Sequence, residues 1–125
     1  SLAFSLGVDD GDSDKFKIGT STIGTNTRLT IDSSGQVGIG TTSPQRILHV
    51  ETSEDVCAKF HSTDDKAVIR LSDDDTQSFL ITKDSKFHLG NTSADLDVFT
   101  IDWATTRVGI GTTSPDYQLH ITRAD

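Results

Sequence analysis

The eight residues Val37-Gly38-Ile39-Gly40-Thr41-Thr42-Ser43-Pro44 recur unchanged as Val108-Gly109-Ile110-Gly111-Thr112-Thr113-Ser114-Pro115. In a chain of 125 residues such an identity excludes coincidence and makes the chain a repeat. The match spreads outward. Leu29-Thr30-Ile31-Asp32 and Phe99-Thr100-Ile101-Asp102 precede the two copies, and Leu48-His49-Val50 and Leu119-His120-Ile121 follow them. A repeated unit that cannot bury its own apolar face needs a neighbour, either the next repeat or another chain.

Weaker copies extend the period. Phe16-Lys17-Ile18-Gly19-Thr20-Ser21 and Phe87-His88-Leu89-Gly90-Asn91-Thr92 share an apolar-polar-apolar-Gly core with the main motif. Phe16 lies 21 residues before Val37, and Phe87 lies 21 before Val108; each copy is 71 residues from its partner. The chain reads as one long unit duplicated with small indels. Phe4-Ser5-Leu6 is expected to correspond to Phe79-Leu80-Ile81, followed by a loop four residues longer in the first copy. The first copy is expected to have begun before Ser1. Three segments result: 1–50, a first repeat truncated at its N-terminus; 51–97, a β-meander of the second unit; and 98–125, the second copy of the motif.

Only 33% of the residues are hydrophobic, too few for a large single-chain core, yet the alternation is too regular for disorder. Association of identical chains resolves the tension, because apolar stripes can be buried against other copies. A formal charge of −8 disfavours nucleic acid, whose phosphates require clustered Lys and Arg. No apolar run is long enough for a membrane-spanning helix, so membrane insertion is not expected. Cys57 stands alone, which excludes an intrachain disulfide, and the run Val56 to Phe60 reads it as a small buried side chain.

Apolar residues recur with period two almost throughout. Phe16/Ile18, Leu29/Ile31, Val37/Ile39, Leu48/Val50, Val56/Ala58/Phe60, Ala67/Ile69/Leu71, Phe79/Ile81, Phe87/Leu89, Phe99/Ile101, Val108/Ile110 and Leu119/Ile121 each predict a short strand with one apolar face. The turns between them are rich in Asp, Ser and Gly. The fold class is therefore all-β: short antiparallel strands and hairpins in a repeated unit, with little or no helix. Residues 56–89 suggest a four-stranded antiparallel meander. Within the motif, Gly38 and Gly109 stand where another backbone approaches closely, and Gly40 and Gly111 belong to the same structural turn. Pro44 and Pro115 then force a kink, since proline lacks an amide donor and keeps the preceding residue extended. A strand-kink-strand element, repeated, suits an elongated rod.

With Ser5-Leu6-Gly7-Val8-Asp9-Asp10-Gly11-Asp12-Ser13-Asp14-Lys15-Phe16-Lys17-Ile18, the run from Leu29 to Pro44, and Leu48-His49-Val50 in view, the chain resembles repeats of phage tail fibres and tail spikes. Such repeats often stand upstream of a self-cleaving intramolecular chaperone domain of the kind first associated with endosialidase tail spikes. The resemblance covers most of the chain and both copies of the motif. It implies an intertwined parallel homotrimer, a structural fibre segment of a virion placed near the host-recognition end. The alternatives are a glycan-binding receptor-recognition head made by residues 51–97 and a bacterial adhesin stalk. The second copy departs from the first where Ser33-Ser34-Gly35-Gln36 becomes Trp103-Ala104-Thr105-Thr106-Arg107.

Candidate chemistry is sparse. Asp10, Asp12 and Asp14 alternate like the oxygen ligands of a calcium loop, but Lys15 stands where the loop needs Gly and Ser21 where it needs a bidentate Glu. A solvated acidic loop is the preferred reading, and no cofactor is assigned. His49 and His120 occupy matching positions and are expected to face solvent. No nucleophile elbow or triad pattern marks a catalytic site, so no enzyme is expected. Trp103 and Tyr117, the chain's one Trp and one Tyr, replace Ser33 and Arg46 of the first copy. Exposed aromatics in a diverging repeat are the candidate residues for a host-surface glycan.

Overall fold

The computed structural model describes residues 3–91 and 98–122. Eleven strands run in chain order: β1 Phe4–Asp9, β2 Lys15–Thr20, β3 Thr27–Ile31, β4 Val37–Ile39, β5 Leu48–Val50, β6 Lys66–Ser72, β7 Gln77–Lys83, β8 Lys86–Gly90, β9 Phe99–Asp102, β10 Arg107–Ile110 and β11 Leu119–Ile121. One 3₁₀ turn, Asp10–Asp12, interrupts them. The chain is all-β, and no helix among the described residues is long and apolar enough to cross a membrane. It divides into two compact units, Ser1–Lys59 and Phe60–Asp125. The expected segment end at residue 97 and Thr92 of the weaker copy lie outside the described residues.

The first unit is a five-stranded sheet in the order β1-β2-β3-β4-β5. Neighbours pair antiparallel from β1 to β4, but β4 and β5 run parallel, with Val37 opposite Leu48 and Ile39 opposite Val50. Only residues 40–47 connect them. A parallel pair normally needs a crossover of about a dozen residues or more, so this return is unusually tight. The second unit is a six-stranded sheet in the order β11-β10-β9-β8-β7-β6, and β10 and β11 repeat the parallel step with Val108 opposite Leu119. The expectation of purely antiparallel pairing is thus corrected at the two motif copies, where the kink turns the chain back to its original direction.

Two further expectations are revised. Residues 56–60 alternate like a strand but form none, and Val56, Cys57 and Phe60 are exposed. The meander therefore begins at β6 and continues through β9. Ser5 pairs with Gly19 as Phe79 pairs with Gly90, so Ser5, not Phe4, stands level with Phe79. A one-residue slip moves every side chain to the opposite face. The corrected register puts Leu6 level with Leu80, both on the apolar face, and makes the loop after β1 three residues longer instead of four.

Direct pairing lines up the apolar residues in rows across each sheet, because residues opposite each other share a face. In the first unit one row is Leu6-Ile18-Leu29-Ile39-Val50 and the next is Val8-Phe16-Ile31-Val37-Leu48. In the second, Ile69-Leu80-Leu89-Phe99-Ile110-Ile121 forms the longest row. These faces stay open: Leu6 is 70% exposed, and Val8, Ile31, Ile39, Leu48, Leu89, Ile110 and Ile121 are exposed with it.

The opposite faces are the covered ones, and they are largely polar, with Phe79 and Ile81 as the apolar exceptions in the second unit. Thr30 and Thr100 are fully buried, and Lys17 and His88 nearly so; the buried apolar side chains of the described residues are Phe79 and Ile81. In the first unit the cover comes from loops. A Cβ at Gly7 would touch the Ile23 side chain, and one at Gly38 would lie 2.6 Å from the Thr41 carbonyl oxygen. Glycine and threonine line this face because loop backbone lies directly upon it.

Candidate functional site

The kink after β4 is held from three directions. Val37 N–H donates to the Ile47 carbonyl oxygen at 2.8 Å and Glu51 N–H to that of Ile39 at 2.9 Å, closing the parallel step. The Lys15 ammonium donates to the Thr42 carbonyl oxygen at 2.9 Å. The Gln36 side-chain amide, oriented as a donor, reaches the Pro44 carbonyl oxygen at 2.8 Å. The Thr41 hydroxyl accepts the Ser43 N–H at 3.3 Å, a local turn that competes with strand pairing.

The second kink has the same fittings. Lys86 donates to the Thr113 carbonyl oxygen at 2.8 Å, Arg107 to that of Pro115 at 3.0 Å, and Ser114 N–H to the Thr112 hydroxyl at 3.1 Å. Gly40 and Gly111 take positive φ, +77° and +74°, and a Cβ at either would run into the carbonyl of Glu51 or Thr122. Pro44 and Pro115 are buried under the turns. Of the six turn residues read from the sequence, Gly40, Pro44, Gly111 and Pro115 sit in the kinks, whereas Gly38 and Gly109 lie in β4 and β10 with the carbonyls of Thr41 and Thr112 against them. The lysines that clamp the kinks, 27 residues upstream, had no local sequence signal.

The departure at Trp103 has a backbone explanation. In the first copy, Asp32 Oδ1 accepts the N–H groups of Ser34 and Gln36, both at 2.9 Å, and Gly35 takes φ +76°. In the second, Asp102 Oδ1 accepts from Ala104 at 3.0 Å and Thr105 at 3.2 Å, and Thr106 takes the left-handed position at φ +57°. The added residue lets a threonine replace the turn glycine. Burial pushes the Asp102 carboxyl up, but its bonds to Thr105 and Ala104 and the charge of Lys86 outweigh that and leave it below the ordinary value.

Asp10, Asp12 and Asp14 do not converge on a cation. Asp12 Oδ1 pairs with Lys15 at 2.9 Å and Oδ2 with Lys17, which also meets Asp9 at 2.9 Å. Asp14 lies beyond the 3₁₀ turn in left-handed backbone, φ +57°. Among the described residues no three His, Cys, Asp or Glu side chains gather as a metal would require. The bonds from Lys17 and then Lys15 hold Asp12 below the usual carboxylate range. Burial alone would push the Lys17 ammonium down, but Asp12 and Asp9 outweigh it and raise its pKa.

The two histidines are not solvent-facing. His49 stands opposite Gly38 and His120 opposite Gly109, both half-buried on the covered faces. His49 Nδ1 is enclosed without a hydrogen-bond partner, whereas His120 Nδ1 accepts the Asp116 N–H at 3.2 Å. Next to them in the same rows, the buried Thr30 hydroxyl has no partner, but Thr100 Oγ1 lies 3.0 Å from His88 Nδ1. Position 17 explains the contrast: Lys17 stands where the second copy has His88, and it turns to Asp9 and Asp12 instead.

Trp103 is 61% exposed and lines an open groove of about 320 Å³. Phe60, Asp64, Asp65 and Lys66 line it with Trp103, as does the β7–β8 turn at Lys83, Asp84 and Ser85. Trp103 N–H donates to the Ser85 carbonyl oxygen at 3.1 Å, tying the indole-bearing turn to the β7–β8 turn. Tyr117 does not join the groove. It is 71% exposed and packs its edge against the His120 ring, with centroids 6.0 Å apart. The sequence pointed to Trp103 and, separately, to a head within residues 51–97; that residues 60–66 line the same groove as Trp103 depends on the pairing of β6 to β9. No known family model matches this chain, and no curated protein matches it in sequence.

Proposed function

We propose that this chain is a structural segment of a trimeric fibre, of the tail-fibre or tail-spike kind that its repeats resemble, working near the host-recognition end of a virion. One observation carries the reading: the apolar rows of both sheets are left open while the largely polar faces are covered. A monomer has little reason to expose such patches, and burial against further copies removes them from water. Three parallel chains bring identical rows together around one axis. The kinks, clamped by Lys15 and Lys86, fix where each chain turns back and so hold the rows in register. Small-angle scattering tests the fibre form. The expected particle is a rod with a constant cross-section, and a globule of monomer mass contradicts it.

A second reading, a receptor-recognition head that binds glycan, draws on the groove at Trp103. The two are compatible, since a fibre segment can carry a binding site on its outer surface.

A further inference from the structure

We infer that residues 54–59 of one chain add a strand to the free edge of β6 in a neighbouring copy of the same chain. This rests on the trimeric reading and identifies a segment and an edge through which copies join. Two halves of a strand pair stand unjoined in the single chain. Residues 54–59 carry the alternation of Val56 and Ala58 yet form no strand, and Val56, Cys57 and Ala58 are exposed. β6 is the outer strand of its sheet and pairs with β7 alone. Ladder bonds alternate along an antiparallel strand. Asp73 N–H donates inward to the Thr76 carbonyl oxygen at 3.0 Å, so Val68, Arg70 and Ser72 present their backbone groups outward. Such an edge is a template for a further strand.

Pattern and charge select the occupant and its register. Antiparallel pairing with Asp55 opposite Arg70 sets Val56 opposite Ile69, Cys57 opposite Val68 and Ala58 opposite Ala67. Val56 and Ala58 then lengthen the open apolar face by one strand. Neither Asp55 nor Arg70 has an ion pair within its own chain among the described residues, and both are exposed. The like charges Lys59 and Lys66 meet only at the strand end, where the Asp65 carboxylate lies in the field of Lys66. Phe60 shows why the segment does not fold back onto its own β6. It lines a space of about 180 Å³ with Ala67, Leu80 and Phe87, residues of three successive strands on the open face. A strand paired with β6 would stand in the sheet plane, about 4.8 Å to the side. Phe60 thus anchors the chain on its own sheet and leaves the residues before it to reach the next copy.

Cys57, the chain's only cysteine, reports the pairing. Val68→Cys sets a second thiol opposite it, within disulfide reach. After mild oxidation of the native assembly, non-reducing electrophoresis is expected to show a reducible three-chain band. The parent, with one thiol per chain, can reach only a two-chain band, and Leu71→Cys, on the opposite face, is expected to give no three-chain band. Cys57→Pro removes an amide that only the added strand uses, and is expected to weaken assembly about tenfold by sedimentation. Asp55→Arg is expected to weaken it too, and Arg70→Asp to restore it. A disulfide that closes within a single chain, or no three-chain band from a Val68→Cys chain that sediments as a trimer, overturns the inference and leaves the trimer standing. So does a Cys57→Pro chain that assembles like the parent. A monomeric parent overturns the trimer and the inference with it.

Discussion

The Lys15 ammonium lies 2.9 Å from the carbonyl oxygen of Thr42, joining the start of β2 to the middle of the first kink. The second copy makes the same bond, from Lys86 to Thr113 at 2.8 Å. Each lysine adds a side-chain bond to a turn that backbone bonds at its two ends also hold. Replacing Lys86 with Met, which keeps the apolar stem, is predicted to cost about 1–2 kcal/mol, and Lys15→Met about 1 kcal/mol because its bond is more exposed. Urea denaturation of each variant checks both values.

The kink glycines separate two effects. Gly35, Gly40 and Gly111 all have positive φ, but only the last two would press a Cβ into a neighbouring carbonyl. Gly35→Ala is therefore expected to cost about 1 kcal/mol, for backbone strain alone. Gly40→Ala and Gly111→Ala are expected to cost distinctly more, and to loosen amide exchange at Glu51 and Thr122. Equal losses at all three would show that the close approach is not needed.

Matching threonines are predicted to respond with opposite sign. Thr30 is buried with an unpartnered hydroxyl, so Thr30→Val removes a penalty and should be neutral or stabilising. Thr100 has His88 at 3.0 Å, and Thr100→Val should cost about 1–2 kcal/mol by leaving the histidine short of a bond. Thermal melts of the two single variants decide it.

The acid cluster sets a pH window for the first unit. Asp12 is lowered from 3.8, so its contribution is present above that value and lost as pH falls through the folded pKa. Lys17 is raised from 10.5, so its contribution is full below that value and lost as pH climbs through the folded pKa. Asp12→Asn should lower stability at neutral pH and flatten the decline that sets in as pH falls below the ordinary carboxylate value of 3.8. Asp73 and Asp102 are also lowered, so the comparison is between variant and parent at each pH.

Much of this fold was legible in the sequence because period-two alternation assigns each side chain to a face. It placed ten of the eleven strands and the glycines and prolines of both kinks. Alternation does not say whether a strand finds a partner, and residues 56–60 find none within the chain. Nor does it say which face loops will cover. Gly19, Gly38, Thr30 and Thr100 mark the covered side through their small size, against the usual rule that apolar faces go inside. The Trp103 site was half visible: the aromatic stood out as a departure between copies, but the groove it shares with residues 60–66 depends on tertiary pairing.

The open apolar rows lead to one decisive measurement, sedimentation equilibrium of the 125-residue chain at tens of micromolar, beside an Ile39→Lys, Ile110→Lys variant. The account predicts a particle of three times the 13.5 kDa chain mass for the parent, and dissociation for the variant, whose new charges fall within the open apolar rows. A folded parent that sediments as a 13.5 kDa monomer, with its apolar faces in water, would contradict it.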